Sequence, residues 1–246
     1  MNTRKLRKVL LTLCSALLLV SLSVGMTIAY LTDSESVINT FSVGQVHIWL
    51  DEADVWEAAD NGVTDEKLGT QKGTERVKGN SYKLLPGHTY TKDPTTYVRT
   101  DSVDSYVRMK VEITNIANVK SVFGEGFLPQ DFVTGWDPAV WETTRTVDTT
   151  TVSGSAIYEF RYNGIVDVSA LTATEETKGT DTVKYKALAP LFTAFKVDGT
   201  KVNEGNISLL ENVQIKVTAN AIQADGFADA NAAWAAFDDQ KAAANQ

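Results

Sequence analysis

Two histidines and one cysteine are the only imidazole and thiol groups in this 246-residue chain. A catalytic zinc is usually held by three His, carboxylate or Cys ligands. His47, His88 and Cys14 are far apart in sequence, and no H-E-x-x-H is present. His47 alternates with apolar Val46 and Ile48, which makes it a rim side chain on a strand, and His88 follows the Pro86-Gly87 turn. No G-x-S-x-G elbow presents a serine nucleophile. Thr100, Asp101, Ser102 and Asp104 bring together oxygens of the kind calcium prefers, but their spacing is not that of an EF-hand, and a solvated loop is the simpler reading. Leu85 to Thr89 lacks the order L-P-x-T-G of a sortase signal, and no apolar tail follows it. Trp49, Trp56, Trp136, Trp141 and Trp234 could form a sugar-binding platform, although scattered aromatics more commonly pack in a core or at its edge. The expectation is a protein without cofactor, metal or catalytic residues.

The elements that must position any function begin at the N-terminus. Met1 to Lys8 is basic, Val9 to Val20 is apolar, and Ser21 to Ala29 is more polar with small residues at the cut positions. This is the pattern of an export signal over residues 1–29, with Thr27, Ile28, Ala29 and Tyr30 as the cleavage region and the cut after Ile28 or after Ala29. Two other readings exist. An uncleaved anchor would extend the apolar run through Leu31, and a lipoprotein would use Cys14, which bulky Leu13 disfavours. Net charge is −8, and every charge before Ala29 is basic (Arg4, Lys5, Arg7, Lys8), so the remainder is more acidic still. Nucleic acid and anionic lipid are therefore poor partners, and the membrane is met only during export. Removing the signal removes Cys14, so a secreted form would be held by its core or by neighbours rather than by disulfides.

Past the signal, Tyr30 to Phe41 mixes apolar and polar residues and would be the free end of the processed chain. Period-two alternation marks Phe41 to Leu50, Tyr106 to Asn115, Ile157 to Tyr162 and Val213 to Ile222 as strands. Tyr90 to Val98 reads as extended, with Pro94 at an edge or bulge. Asp51 to Asn80, acidic and then rich in Gly, Lys and Thr, reads as a long surface excursion with a short helix near Glu52 to Ala59. Another short helix is expected around Leu128 to Phe132, and Thr143 to Ser153 reads as linker or edge. Asp229 caps an Ala-rich helix over 225–239, and residues 241–246 are expected to fray. The sum is a mainly β chain, a jelly-roll or β-sandwich of roughly seven to nine antiparallel strands, forming one domain over 42–240.

The run A-Y-L-T-D-S-E-S-V-I-N-T-F-S-V-G-Q-V-H-I-W-L from Ala29 resembles the start of secreted Firmicutes proteins of the TasA/camelysin family, whose signals are cut by the SipW signal peptidase. Leu85 to Thr95 resembles that family's P-G-x-x-x-x-K motif, Val213 to Ala224 its last long strand, and Asp225 to Phe237 the C-terminal helix of a subset. The resemblance implies a secreted subunit of a biofilm matrix fibre, partnered by itself head to tail. Residues 30–41 would be the donor strand, with Tyr30, Leu31, Val37, Ile38 and Phe41 filling a groove. Strand addition satisfies an exposed sheet edge, and a heterologous contact propagates into a filament. The competing reading is that the segment folds back on its own domain or is a loose leader. Other functions weighed are a monomeric adhesin or glycan-binding domain and, because camelysin is described as a metallopeptidase, a metalloprotease using His47.

Overall fold

The computed structural model describes residues 32–35, 46–147 and 154–244. The expected cleavage region and the apolar positions Tyr30, Leu31, Val37, Ile38 and Phe41 lie outside them. The chain is a β-sandwich. In order it forms β1 (Thr32–Glu35), β2 (Ile48–Val55), β3 (Gln71–Val77), β4 (Thr89–Thr91), β5 (Thr95–Arg99), β6 (Ser105–Ile113), α1 (Ile116–Phe123), β7 (Val133–Thr134), β8 (Trp141–Val147), β9 (Ala156–Tyr162), β10 (Glu175–Glu176), β11 (Tyr185–Ala187), β12 (Ala194–Lys196), β13 (Ile215–Gln223) and α2 (Ala230–Ala244), with short 3-10 turns at Pro129–Asp131 and Ile207–Leu210.

One sheet has the order β1-β13-β6-β9-β8 and the other β10-β11-β5-β2-β3; a small third sheet joins β4, β12 and β7. Every pairing among the described residues is antiparallel. The alternation of β6 becomes two faces, as period-two side chains require. Val107, Met109, Val111 and Ile113 enter the core between the sheets, where they meet Tyr158 and Phe160 of β9, Ala219 and Ala221 of β13, and Ile48 and Val98 from the opposite sheet.

The outer face of the first sheet carries α2. Asp229 Oδ1 accepts a hydrogen bond from the Ala232 amide at 2.9 Å, the capping contact that its position before the Ala-rich run implies. Ala233, Trp234 and Phe237 then bury against Ile222. Arg108 of β6, only 1% exposed, lies beneath the helix. Its guanidinium is 4.3 Å from the Trp234 ring centre and 5.0 Å from that of Phe237. It donates to Asn220, Glu159 and Asp238, so the charge placed in an otherwise apolar seam is paired.

The stretch 51–80 differs from its expected form. It is not a surface excursion with a helix: β2 continues to Val55, and Asp51 and Glu52 are buried. Their charges are neutralised by residues distant in sequence. Arg76 and Lys178 donate to Asp51, and Lys92 donates to Glu52. Arg76 also bridges to Asp93, tying β3 to the turn before β5. The Thr-rich stretch after Trp141 begins as strand β8, an edge of the first sheet, which is one of its two expected forms, whereas α2 persists to Ala244, beyond the expected end at 239.

Candidate strand-acceptor groove

The described part of the expected donor segment is β1, and its backbone pairs with the free edge of β13. Thr32 stands opposite Ile222, Asp33 opposite Ala221, Ser34 opposite Asn220 and Glu35 opposite Ala219. The strand thus folds back on its own domain over these four residues. Beyond Ala219, β13 runs on toward Ile215, and among the described residues no strand pairs with that half of its outer edge.

A groove of about 1160 Å³ opens alongside this unpaired half. One wall is β13 from Ile215 to Val217, continued backward through Val213 and Leu210. The other is β2 from Trp49 to Glu52 together with residues 78–84. The floor is aromatic. Phe123, Phe127, Phe132 and Phe195 form a chain of ring contacts with centroid separations of 5.6, 6.3 and 5.1 Å, the last pair stacked. Tyr82 joins it edge-on to Phe195 at 5.0 Å.

Local sequence explains how each wall is held. Phe123 comes from α1, which starts from Asn115 in the left-handed region (φ 51°), a conformation that Asn tolerates better than most residues. The helix packs on the 3-10 turn at Ile207–Leu210. On the other wall Lys78 donates to the Leu50 carbonyl at 2.8 Å and lies 3.4 Å from the centre of the Trp49 ring. Asn80 donates to Glu52 and to the Ala53 carbonyl. Burial raises the Tyr82 hydroxyl pKa well above its ordinary value, and the nearby Glu52 carboxylate adds to this, so the phenol stays a neutral donor to the Thr91 carbonyl. The groove therefore has an aromatic floor and a polar rim in which Lys78, Asn80 and Tyr82 are held by hydrogen bonds.

The residues singled out for chemistry are placed apart. His47 is a half-buried rim residue; its amide donates to Ser102 Oγ at 3.0 Å. Burial, seconded by Arg99, lowers its pKa below 6.5 and favours the neutral ring. The His88 ring is 2.8 Å from the Leu68 carbonyl and 4.8 Å from the Tyr90 ring. Asp101 is paired with Arg99, and among the described residues no three His, Cys, Asp or Glu groups gather to hold a metal. Trp141 and Trp234 are fully buried, and the Trp136 indole donates to the Trp141 carbonyl. Trp49 alone of the five lines the groove. None of the other groove residues was singled out by the sequence. The one local signal was the cluster of Phe between 123 and 132, which has no strand or helix period.

No described helix is long and apolar enough to cross a membrane. Comparison with protein-family models, with curated proteins and with solved structures yields no match.

Proposed function

We propose that this chain is a secreted, non-enzymatic subunit that assembles with copies of itself into an extracellular fibre by adding its N-terminal segment as a strand to the next subunit. The observation that carries the reading is the pairing of Thr32–Glu35 with β13 at the mouth of an apolar groove that continues along the same strand edge. A strand able to pair with this edge within one chain can make the same main-chain bonds to the edge of another chain. Export by a cleaved signal over 1–29 would free the segment for that exchange.

The test compares a chain starting at Ala29 with one starting at Phe41, each at matched concentration under the electron microscope. All described elements lie in 32–244, so the longer chain retains every one of them. Fibres are expected from the longer chain alone. Equal polymerisation of both, or of neither, refutes strand addition.

A further inference from the structure

We propose that the chain cross-links itself: Lys92 Nζ attacks the side-chain carboxamide of Asn80, with Glu52 carrying the proton, to form an amide between the two side chains and release ammonia. The site lies on the β2 side of the groove and needs no partner chain.

Three side chains converge there. Lys92, 6% exposed, donates to Oε2 of Glu52 at 2.5 Å, and Glu52 is itself 4% exposed. The other oxygen of that carboxylate, Oε1, accepts from Asn80 Nδ2 at 2.8 Å. All three line the groove beside Tyr82, whose ring centre is 5.9 Å from Lys92 Nζ. A buried amine and a carboxamide are thus held side by side by one carboxylate. Torsion of the lysine stem then brings Nζ to the roughly 3–3.5 Å of a near-attack contact. Lys178, also buried, bonds instead to Asp51 and Glu176, and carboxylates resist attack by an amine.

The Asn80 amide is oriented for reaction. β2 shifts register against β3 between Ala53 and Val55. At that irregularity Asn80 Nδ2 also donates to the Ala53 carbonyl at 3.0 Å, and Asn80 Oδ1 accepts from the Val55 amide at 3.1 Å. The oxygen faces a main-chain N–H, the kind of donor that stabilises an oxyanion. The nitrogen faces the carboxylate that protonates it as it leaves.

Atoms and charges balance in each step. One proton moves along the Lys92–Glu52 bond, leaving an amine and a carboxylic acid; separated charges are costly away from water, which makes this transfer easier than in solvent. The Nζ lone pair adds to Asn80 Cγ, and the carbonyl electron pair moves onto Oδ1 beside the Val55 N–H. Glu52 gives its proton to Nδ2 and takes one from Nζ. The Cγ–Nδ2 bond breaks, the carbonyl re-forms, and Nδ2 departs as ammonia. One C–N bond replaces another without redox change. The product ties Asn80, which follows β3, to Lys92, between β4 and β5, and closes a ring over residues 80–92. Before it forms, the Lys92–Glu52 ion pair holds these segments together.

The test measures the intact mass of the folded chain starting at Ala29, which retains every described element. The mass is expected to fall short of the sequence by one ammonia. Trypsin is expected to give a branched peptide, residues 79–83 joined to residues 84–99 through Lys92, which is then no longer cut. Lys92→Arg keeps the cation without the amine and should abolish the loss. Glu52→Gln keeps the shape without the proton carrier and should slow it at least tenfold. Cyclisation of Asn80 onto the Ser81 amide would also shed ammonia, but it would persist in Lys92→Arg and leave Lys92 open to trypsin. That result overturns the inference. So does the full sequence mass in the folded parent chain, or loss of water, which marks a bond from Lys92 to Glu52. Equal rates in Glu52→Gln and the parent overturn Glu52 as proton carrier. Should a variant not fold, the branched peptide of the parent chain decides the bond by its presence or absence.

Discussion

Replacing Arg108 with Met should destabilise the protein chiefly through its C-terminal helix. Arg108 is 1% exposed, and Glu159, its partner at 3.1 Å, is 3% exposed. Breaking a buried ion pair by removing one member costs about 3–5 kcal/mol. Two features place this case toward the lower end. Arg161 still holds the other Glu159 oxygen at 2.8 Å, and Asp238, half exposed, regains water. Loss of the guanidinium over Trp234 and Phe237 adds about 1 kcal/mol, and Met replaces part of the lost packing. The expected total is about 3–4 kcal/mol, or roughly 6–16 °C in Tm for a domain of this size. Urea unfolding followed by tryptophan fluorescence measures it. The same substitution in a chain ending at Gly226, where water reaches Arg108, should cost only about 1 kcal/mol, because an exposed pair contributes little. Equal costs in the two backgrounds would refute the view that Arg108 acts by clamping α2. Should the short chain not fold, a cycle of Arg108→Met with Trp234→Ala in the full chain reads the same coupling, expected at 1 kcal/mol or more.

Other outcomes follow from the same geometry. Asp238 is pulled below its ordinary pKa of 3.8: burial opposes ionisation, but hydrogen bonding to Arg108 and the charges of Arg108 and Lys110 outweigh it. Its folded value being depressed, its contribution is present above pH 3.8 and is lost as pH falls through the folded value, so Asp238→Asn should lose less stability than the parent between pH 6 and pH 3 in urea titrations. Lys92→Met should cost about 3–5 kcal/mol by stranding buried Glu52, and adding Glu52→Gln should recover most of it; no recovery would mean that charge burial is not the cause. Gly69 has φ 71°, and a Cβ there would stand 2.2 Å from Tyr90 Cδ1. Gly69→Ala is expected to cost about 2–4 kcal/mol in urea unfolding, because Tyr90 is held by stacking on Phe195 at 4.9 Å and has little room to move aside.

Legibility in the sequence tracked how local each cause was. The strand at 105–113 was plain because its two faces meet different media, core on one side and helix or water on the other. The cap at Asp229 was plain because it concerns three neighbouring residues. The stretch 51–80 was misread because acidic residues in a strand look solvated until the cations that neutralise them are known, and Lys92 and Lys178 are 40 and 127 residues away from theirs. Helix α1 was missed because it starts at a left-handed Asn115 that makes no side-chain capping bond. The groove drew on β2, residues 78–84, α1, the turn at Ile207–Leu210 and β13, and no window of sequence contains that pattern. Residues 32–35 pair with β13 of their own domain, one of the alternatives the residues alone leave open, because their partners lie some 190 residues away.

The last strand of the chain lies inside the first sheet, flanked by β6 and by the first strand. Residues 32–35 are synthesised before every other described element, and their partners at 219–222 appear some 190 residues later. Such long-range closure is slow, because the loop must be brought together before any contact rewards it. It also acts as a timer. A nascent chain lacks the edge that β13 supplies, so β1 stays without its partner until almost the whole sequence has been made.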